Sequence, residues 1–261
     1  MRSLGALTVT TLLVAAGSLV ACRGGGDDAG SGETKTEVGV TKEACPNAID
    51  KAKGCIYLGL ISDLTVGPFK ANAVPITESQ KKFWERVNKA GGIGGYEIDA
   101  VTYIRDNKYN PEVHNQVYQE IKGKVLALGQ TLGSPTTAAI INDLRTNNVV
   151  AAPASWTSAW AFEDVIIESG ANYCTESINA VDYAVEAFKP KTVMAVHLPG
   201  DYGDDGAAGA KLAAEQLGLT FINVKTDPGA DKQAGAVNSI VTQNPDLVIL
   251  TTSPTETVVI V

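Results

Sequence analysis

Residues 192–251 decide the fold of this chain, because short apolar segments and longer amphipathic segments alternate along them. In order they are TVMAVH (192–197), DGAAGAKLAAEQL (205–217), TFINV (220–224), DKQAGAVNSIVT (231–242) and DLVILT (246–251). The first, third and fifth segments have the apolar density of buried strands, and the two between them have helical spacing. Strands joined by helix-length crossovers favour a parallel sheet with helices on both faces.

A similar alternation runs through the preceding part of the chain. Thr77 and Gln80 form a capping-box pattern that is expected to begin the first helix. The irregular stretch 153–175 separates the two runs, so the sequence predicts an α/β protein with two doubly wound parallel-sheet lobes, at residues 51–172 and 173–261. The first run has predicted strands at 55–62, 96–104, 124–128 and 149–152, and predicted helices at 77–90, 110–123 and 135–145.

The N-terminus has the composition of an export signal. Arg2 precedes an apolar run from Leu4 to Val20, and small residues lie just before Cys22. The run is short and contains a Gly-Ser pair, which disfavours a transmembrane helix. The segment LVAC (19–22) resembles the lipobox of bacterial lipoproteins, which implies a diacylglyceryl group on Cys22 and an extracytoplasmic protein anchored to the cell membrane. A plain signal peptide followed by a chance cysteine is the alternative.

Composition limits the partners and the covalent links. We expect a signal peptide at 1–21 and, from its glycine and polar content, a flexible tether at 22–50. The formal charge of −8 argues against nucleic acid as a partner. Cys45 and Cys55 lie ten positions apart, and in an exported protein we predict that they form a disulfide. Cys174 then has no predicted disulfide partner.

Signs of catalysis and of metal binding are missing from the sequence. No C-x-x-C pair or His/Cys cluster predicts a zinc or redox site, and Asp201, Asp204 and Asp205 lack the spacing of a calcium loop. No G-x-S-x-G segment occurs, and His114 and His197 are not recognisably placed to activate a serine. We therefore expect no enzyme, no cofactor and no metal site.

The glycine-rich segment AGGIGG (90–95) closes a predicted helix and precedes a predicted strand. A dinucleotide-binding fingerprint follows a strand and opens a helix, so these glycines fit a tight helix-to-strand turn instead. Helix, AGGIGG and strand together resemble the extracellular substrate-binding proteins of branched-chain amino-acid ABC transporters. Four further segments follow in that family's order: ISDLTVGPF (61–69), GQTLGSPT (129–136), VAAPAS (150–155) and DYGDDG (201–206).

This resemblance implies the type I periplasmic binding protein fold. It also implies an extracytoplasmic solute-binding component of an ABC importer, which captures a small amino acid or amide by hinged closure of its lobes. The ligand would then be delivered to a membrane permease. A ligand-sensing receptor module of the same fold is the alternative function.

The loop at Ser134 is a candidate ligand site on physical grounds. It lies between a predicted parallel strand and a helix predicted to begin at Pro135, and open α/β sheets bind ligands at that edge. Ser134 can cap this helix, whose free N–H groups and positive dipole end favour a carboxylate. The alternative is that Ser134 and Thr136 only cap the helix.

Three residues at the next strand end and one in the second lobe complete the candidate set. The resemblance implies that a backbone carbonyl and a hydroxyl near Ala154 and Ser155 meet a ligand ammonium. Trp156 stands where amino-acid binders of the family usually have a small hydroxyl residue, so it either walls the pocket or belongs to the core. Tyr202 is implied to close over the ligand, a surface tyrosine in a turn being the alternative.

The last residues contain the beginning of another helix. The segment SPTE (253–256) has a capping serine, a proline in the first turn and a glutamate three residues on. Because few residues follow it, we expect a C-terminally truncated second lobe that lacks the return to the first lobe. A truncated gene product that binds ligand weakly or not at all is therefore a further alternative.

Overall fold

Two parallel sheets organise the structure, a computed structural model that describes residues 37–261. The strands are β1 (Val40–Thr41), β2 (Gly54–Ser62), β3 (Tyr96–Asp106), β4 (Ala127–Leu132), β5 (Ala151–Ala154), β6 (Thr192–His197), β7 (Thr220–Lys225) and β8 (Leu247–Thr251). The first sheet has the order β3-β2-β4-β5, and β1 pairs antiparallel with β2. The second sheet has the order β7-β6-β8. We call each sheet with its helices a lobe.

Helices connect successive strands in both lobes. The first lobe contains α1 (Lys70–Lys89), α2 (Pro111–Ile121), α3 (Ser134–Ala138) and α4 (Ile141–Asn147). The second contains α5 (Tyr173–Phe188), α6 (Asp201–Gln216), α7 (Ala234–Gln243) and α8 (Pro254–Ile260). Short 3₁₀ turns lie at Ser158–Phe162 and Ala230–Lys232. The predicted α/β class with doubly wound parallel sheets is confirmed.

Both faces of the central strands are buried, as a parallel sheet requires. In β6, Val193 and Ala195 pack against the alanine-rich face of α6, and Met194 and Val196 pack against α7 on the opposite face. Each fully buried valine or methionine stabilises the fold by roughly 1.5–3 kcal/mol. The first sheet is covered in the same way, by α1 on one face and by α2 and α4 on the other.

The first helix begins earlier than the capping-box pattern predicted. Thr77 lies inside α1, and its hydroxyl donates to a carbonyl one turn earlier (2.9 Å), so the capping box at Thr77 is wrong. Asp63 fixes the loop before the helix, because its carboxylate accepts hydrogen bonds from the N–H groups of Gly67 (2.8 Å) and Phe69 (3.0 Å). This side-chain support for the loop is invisible to a pattern of helical spacing, and it allows the helix to start upstream.

Residues 40–50 pack on the first sheet and do not continue the predicted tether. Cys45 is bonded to Cys55 at the start of β2. The buried carboxylate of Glu97 accepts hydrogen bonds from the N–H groups of Ile49 (2.9 Å) and Asp50 (2.7 Å). The tether predicted to end at residue 50 therefore extends too far, because partners distant in sequence hold this polar segment.

Several predictions concern residues outside the described range. The signal peptide at 1–21, the lipidated Cys22 and the tether up to residue 36 all lie there. The predicted boundary between residues 172 and 173 also stays a prediction. Within residues 37–261, no helix has both the length and the apolar character needed to span a bilayer.

The segment between β5 and α5 carries the chain from the first lobe to the second. Its residues 165–167 run along β5, where the N–H of Ile167 donates to the carbonyl of Ala151 (2.9 Å). Asp205 of α6 accepts hydrogen bonds from the N–H groups of Ser158 (3.0 Å) and Cys174 (3.3 Å). One carboxylate of the second lobe therefore holds both a first-lobe turn and the start of α5.

Candidate ligand-binding site

In both sheets the central strand lies where the direction of the chain connections reverses. The loop after β2 leads to α1, and the loop after β4 leads to helices on the opposite face. The second sheet repeats this arrangement with β6 between β7 and β8. Open α/β sheets bind ligands in the crevice at the carboxyl ends of such strands.

A cavity of about 180 Å³ lies at this edge and is bordered by both lobes. The first lobe contributes most of its lining, and the second contributes Tyr173 from α5 and Tyr202 from α6. No charged side chain lines it within the described part of the chain. The first-lobe lining consists of Phe69, Asn72, Ile76, Tyr109, Leu132, Gly133, Ser134, Ala154, Ser155 and Trp156.

Ser134 lines the cavity but does not cap a helix. The N-cap position belongs to Gly133, so no N-cap side chain caps the N-terminus of α3. The Ser134 hydroxyl is buried, with the residue only 1% exposed; the Tyr173 phenol lies near it, but no hydrogen bond of good geometry reaches it within residues 37–261. An unpaired buried hydroxyl costs free energy unless a ligand or a water molecule pairs with it.

The helix predicted at 135–145 is interrupted, since α3 ends at Ala138 and α4 begins at Ile141. A five-residue helix has only a short dipole, so the helix-dipole argument for a carboxylate loses most of its force. Pro135 and Thr136 do not line the cavity. The Thr136 hydroxyl donates instead to the carbonyl of Gly133 (2.9 Å), inside the loop.

A chain of buried hydrogen bonds supports the Ser134 loop from below. Asn107 donates through Nδ2 to the carbonyl of Leu132 (2.9 Å) and to Nδ1 of His114 (3.0 Å). Nε2 of His114 lies 3.0 Å from the Thr131 hydroxyl, which lies 3.0 Å from the Thr137 hydroxyl. Burial lowers the pKa of His114 to about 3, so the imidazole is neutral and, with Nδ1 accepting, donates from Nε2.

Residues 154–156 form the wall that follows β5. Ser155 is buried, and its carbonyl accepts a hydrogen bond from Nε1 of Trp160 (3.1 Å). Trp156 lines the cavity, with its Nε1 donating to the Ser169 hydroxyl (3.2 Å) and its ring 6.4 Å edge-to-face from that of Tyr173. Of the two positions considered for Trp156, the structure has the one at the cavity.

Aromatic rings continue around the cavity from Trp156. The Tyr173 ring lies 4.7 Å from that of Tyr202, which lies 6.1 Å from Phe69, and Phe69 lies 4.7 Å from Tyr109. Tyr202 belongs to the first turn of α6, not to a surface turn, and its hydroxyl donates to a backbone carbonyl of the second lobe (3.2 Å). Burial raises the pKa of Tyr173 to about 12 and also raises the pKa of Tyr202, so both phenols are neutral.

The cavity therefore brings together five of the seven residues proposed from sequence: Ser134, Ala154, Ser155, Trp156 and Tyr202. Sequence reasoning missed three aromatic contributors, which are Phe69, Tyr109 and Tyr173. Phe69 lies in the ISDLTVGPF segment that carried part of the resemblance. No local signal marks the other two, since they approach the cavity through loop and helix-end positions of different lobes.

Comparison with known protein families identifies the family to which this fold belongs. A family model described as "Periplasmic binding protein" matches residues 55–261. The chain belongs to the periplasmic binding protein family. The resemblance stated from the sequence segments is confirmed, and the family consists of solute-binding proteins, not enzymes. Membership also implies a location outside the cytoplasm.

Individual relatives of this periplasmic binding protein differ in what their names say they bind. Leu/Ile/Val-binding protein homolog 3 of Brucella melitensis biotype 1 is 26% identical over 187 residues, covering 70% of this chain and 50% of the relative. A fatty acid ABC transporter substrate-binding protein from Thermomonospora curvata has a TM-score of 0.74 and 28% identity, over 84% of this chain and 56% of that one.

A branched chain amino acid ABC transporter from Thermus thermophilus with bound valine has a TM-score of 0.70 over 80% of this chain and 55% of that one. At 16% identity this likeness shows the fold alone. The chain thus spans about half the length of the relatives it matches.

Metal-ligating side chains and a thiol are further reactive groups in the described residues of this periplasmic binding protein. Within residues 37–261, no group of three His, Cys, Asp or Glu side chains is arranged to hold a metal ion. Cys174 is a free, partly buried thiol in the same range, and burial raises its pKa.

Proposed function

We propose that this chain is the ligand-capturing part of an extracytoplasmic solute-binding component of an ABC importer. Its ligand would be a small amino acid or amide, enclosed by hinged closure of the two lobes. The observation that carries the proposal is the cavity itself, since residues of both lobes line it at the carboxyl ends of both sheets. A ligand there touches both lobes and stabilises the arrangement in which they approach each other.

Within this proposal, the Ser134 hydroxyl donates to an acceptor of the ligand. Ser134 is the buried polar group at the cavity that lacks a partner within the described residues. The backbone at Ala154 and Ser155 supplies polar contacts on the opposite wall, while Trp156 and Tyr202 enclose the apolar part of the ligand. Pro135 and Thr136 act as loop supports, since neither lines the cavity.

Delivery and anchoring complete the proposal. The ligand-bound form would dock on a membrane permease, and a lipid on Cys22 would hold the receptor beside it. The LVAC segment and the family's extracytoplasmic location support this anchoring. Tethering raises the effective concentration of the receptor at the permease without any new contact.

Ligand binding is tested on the full chain by thermal unfolding and by tryptophan fluorescence across a panel of amino acids and amides. A ligand at 100 times its Kd stabilises the protein by about 2.7 kcal/mol, which raises the Tm by about 5–10 °C. The fluorescence change should shrink in Trp156→Phe, which leaves Trp160 beside Ser155, and persist in full in Trp84→Phe, since Trp84 lies on α1 and packs on the first sheet away from the cavity. A panel without any saturable response in either assay would contradict the proposal.

A further inference from the structure

The geometry points to a ligand that carries an alkylated ammonium group, held in the cavity by aromatic rings. This inference deepens the proposed function and rests on it. It names the chemical class that the cavity selects: compact zwitterions or cations whose nitrogen carries methyl groups.

The composition of the cavity wall is the first argument. Five aromatic rings border a space of only about 180 Å³: Phe69, Tyr109, Trp156, Tyr173 and Tyr202. They form a continuous series in which neighbouring centroids lie 4.7–6.4 Å apart. Aromatic faces attract cations within about 6 Å, and groups of such rings recognise quaternary ammonium ions.

The charge around the cavity is the second argument. Neither lysine nor arginine lines it in the part of the chain that the structure describes. The lysines next in sequence to lining residues, Lys70 and Lys108, are exposed. A ligand with a net negative charge would therefore lose its hydration without meeting a cationic side chain, which is unfavourable.

Nearby carboxylates make the field negative. Asp63 is fully buried, accepts hydrogen bonds from two backbone N–H groups, one of them that of Phe69, and has no ion pair within residues 37–261. Burial raises the pKa of Tyr109, and after its neighbouring tyrosines the carboxylates of Asp63 and Asp201 act in the same direction. The pKa of Tyr202 is raised by burial and then by Glu176. Carboxylates therefore flank the cavity on both sides, Asp63 in the first lobe and Asp201 and Glu176 in the second.

The degree of alkylation follows from the lining. A primary ammonium keeps three N–H donors, and the cavity offers them only neutral carbonyl and hydroxyl acceptors, since no carboxylate lines it within the described residues. A trimethylammonium group has no N–H to satisfy and presents its charge through methyl groups that pack against rings. The unpaired Ser134 hydroxyl can then donate to an acceptor at the other end of the ligand. A compact ligand fits the volume of about 180 Å³ beside these rings.

Calorimetric titration of the full chain with a methylation series tests this inference. The series is glycine, N-methylglycine, N,N-dimethylglycine and N,N,N-trimethylglycine. The matched control is 3,3-dimethylbutanoate, which has the shape of trimethylglycine with carbon in place of the charged nitrogen. We expect affinity to rise along the series and trimethylglycine to bind at least tenfold more tightly than the carbon analogue.

Variants of Trp156 separate ring chemistry from folding. Trp156→Leu should weaken trimethylglycine at least tenfold and change the affinity for the carbon analogue less than threefold, while Trp156→Phe keeps most of the binding. The Tm of each ligand-free variant reports its folding. Equal losses for the two ligands in Trp156→Leu would overturn the inference.

Failure of this inference can be told apart from failure of the proposed function. Affinity that falls with methylation, or equal affinity for trimethylglycine and its carbon analogue, overturns the inference. Binding of leucine, an amide or a carboxylate with no response to trimethylglycine overturns it too, yet leaves the proposed function standing. If none of these probes binds, both fail.

Discussion

Replacing Ser134 by alanine should change stability and ligand affinity in opposite senses. The hydroxyl is buried and lacks a hydrogen-bond partner within residues 37–261, and such a group costs about 1–3 kcal/mol. Removing it should therefore raise the free energy of unfolding of the ligand-free protein by about 1 kcal/mol, after allowance for water in the cavity. Losing the hydrogen bond to a ligand should lower affinity by about tenfold.

Thr137→Val is the matched control for this substitution. Thr137 lies in the same helix and is equally buried, but its hydroxyl is paired with that of Thr131 at 3.0 Å. Valine keeps the shape and removes the bond, so the free energy of unfolding should fall by about 1–2 kcal/mol. Urea denaturation of both variants, with unchanged m-values, measures the two opposite effects.

A loss of stability in Ser134→Ala as large as that in Thr137→Val would refute the reasoning. It would mean that the Ser134 hydroxyl already has a partner in the ligand-free protein. An unchanged ligand affinity in Ser134→Ala, with a normal m-value, would show that the Ser134 hydroxyl does not bond the ligand.

Four further variants test the fold. Replacing Cys45 and Cys55 together by alanine opens a loop of ten residues and should lower the free energy of unfolding by about 2–3 kcal/mol, read from urea denaturation; an unchanged midpoint would contradict it. Burial lowers the pKa of His114 to about 3 in the folded protein, so between about pH 6.5 and pH 3 only the unfolded state binds the extra proton. The free energy of unfolding therefore decreases as the pH is lowered through this range. Between pH 6.5 and 5, His114→Gln should lose a slope of up to about 1.4 kcal/mol per pH unit, and an identical pH profile would refute this. Gly209→Ala should destabilise by about 1–3 kcal/mol, because the added carbon overlaps the backbone of α5. Gly235→Ala meets open space in α7 and should stabilise by about 0.5–1 kcal/mol, and equal effects of the two would count against the packing argument.

The fold was predictable because its signal is repeated along the chain. Alternating strand and helix segments with short connections leave few topologies, and the capping box at Ser253 and Glu256 is confirmed in α8. The predicted boundaries of strands and helices were wrong where contacts with residues distant in sequence determine them. The strand predicted at 124–128 lies at Ala127–Leu132, since the N–H of Lys124 still bonds the end of α2 and that of Leu126 bonds Tyr57 of β2.

The candidate site was predictable where a residue follows a strand directly. Ser134 and Trp156 come just after β4 and β5, and the carboxyl ends of parallel strands meet at one edge. Tyr109 could not be found in this way. It has a left-handed backbone (φ +53°) in the turn before α2, and only the tertiary structure brings its ring to Phe69.

Asp205 has a mechanical consequence for how ligand reaches the cavity. Its carboxylate bonds a turn of the first lobe and the start of α5, and the N–H of Tyr173 bonds the carbonyl of Trp156 close by (2.8 Å). An opening motion that keeps these bonds has its axis beside Trp156 and Tyr173, so those rings travel least. Phe69 and Tyr109, on the far side of the cavity, travel farthest from the second lobe. In the proposed hinge motion, ligand would therefore enter on the Phe69 side, and Trp156 would stay in place as the back wall.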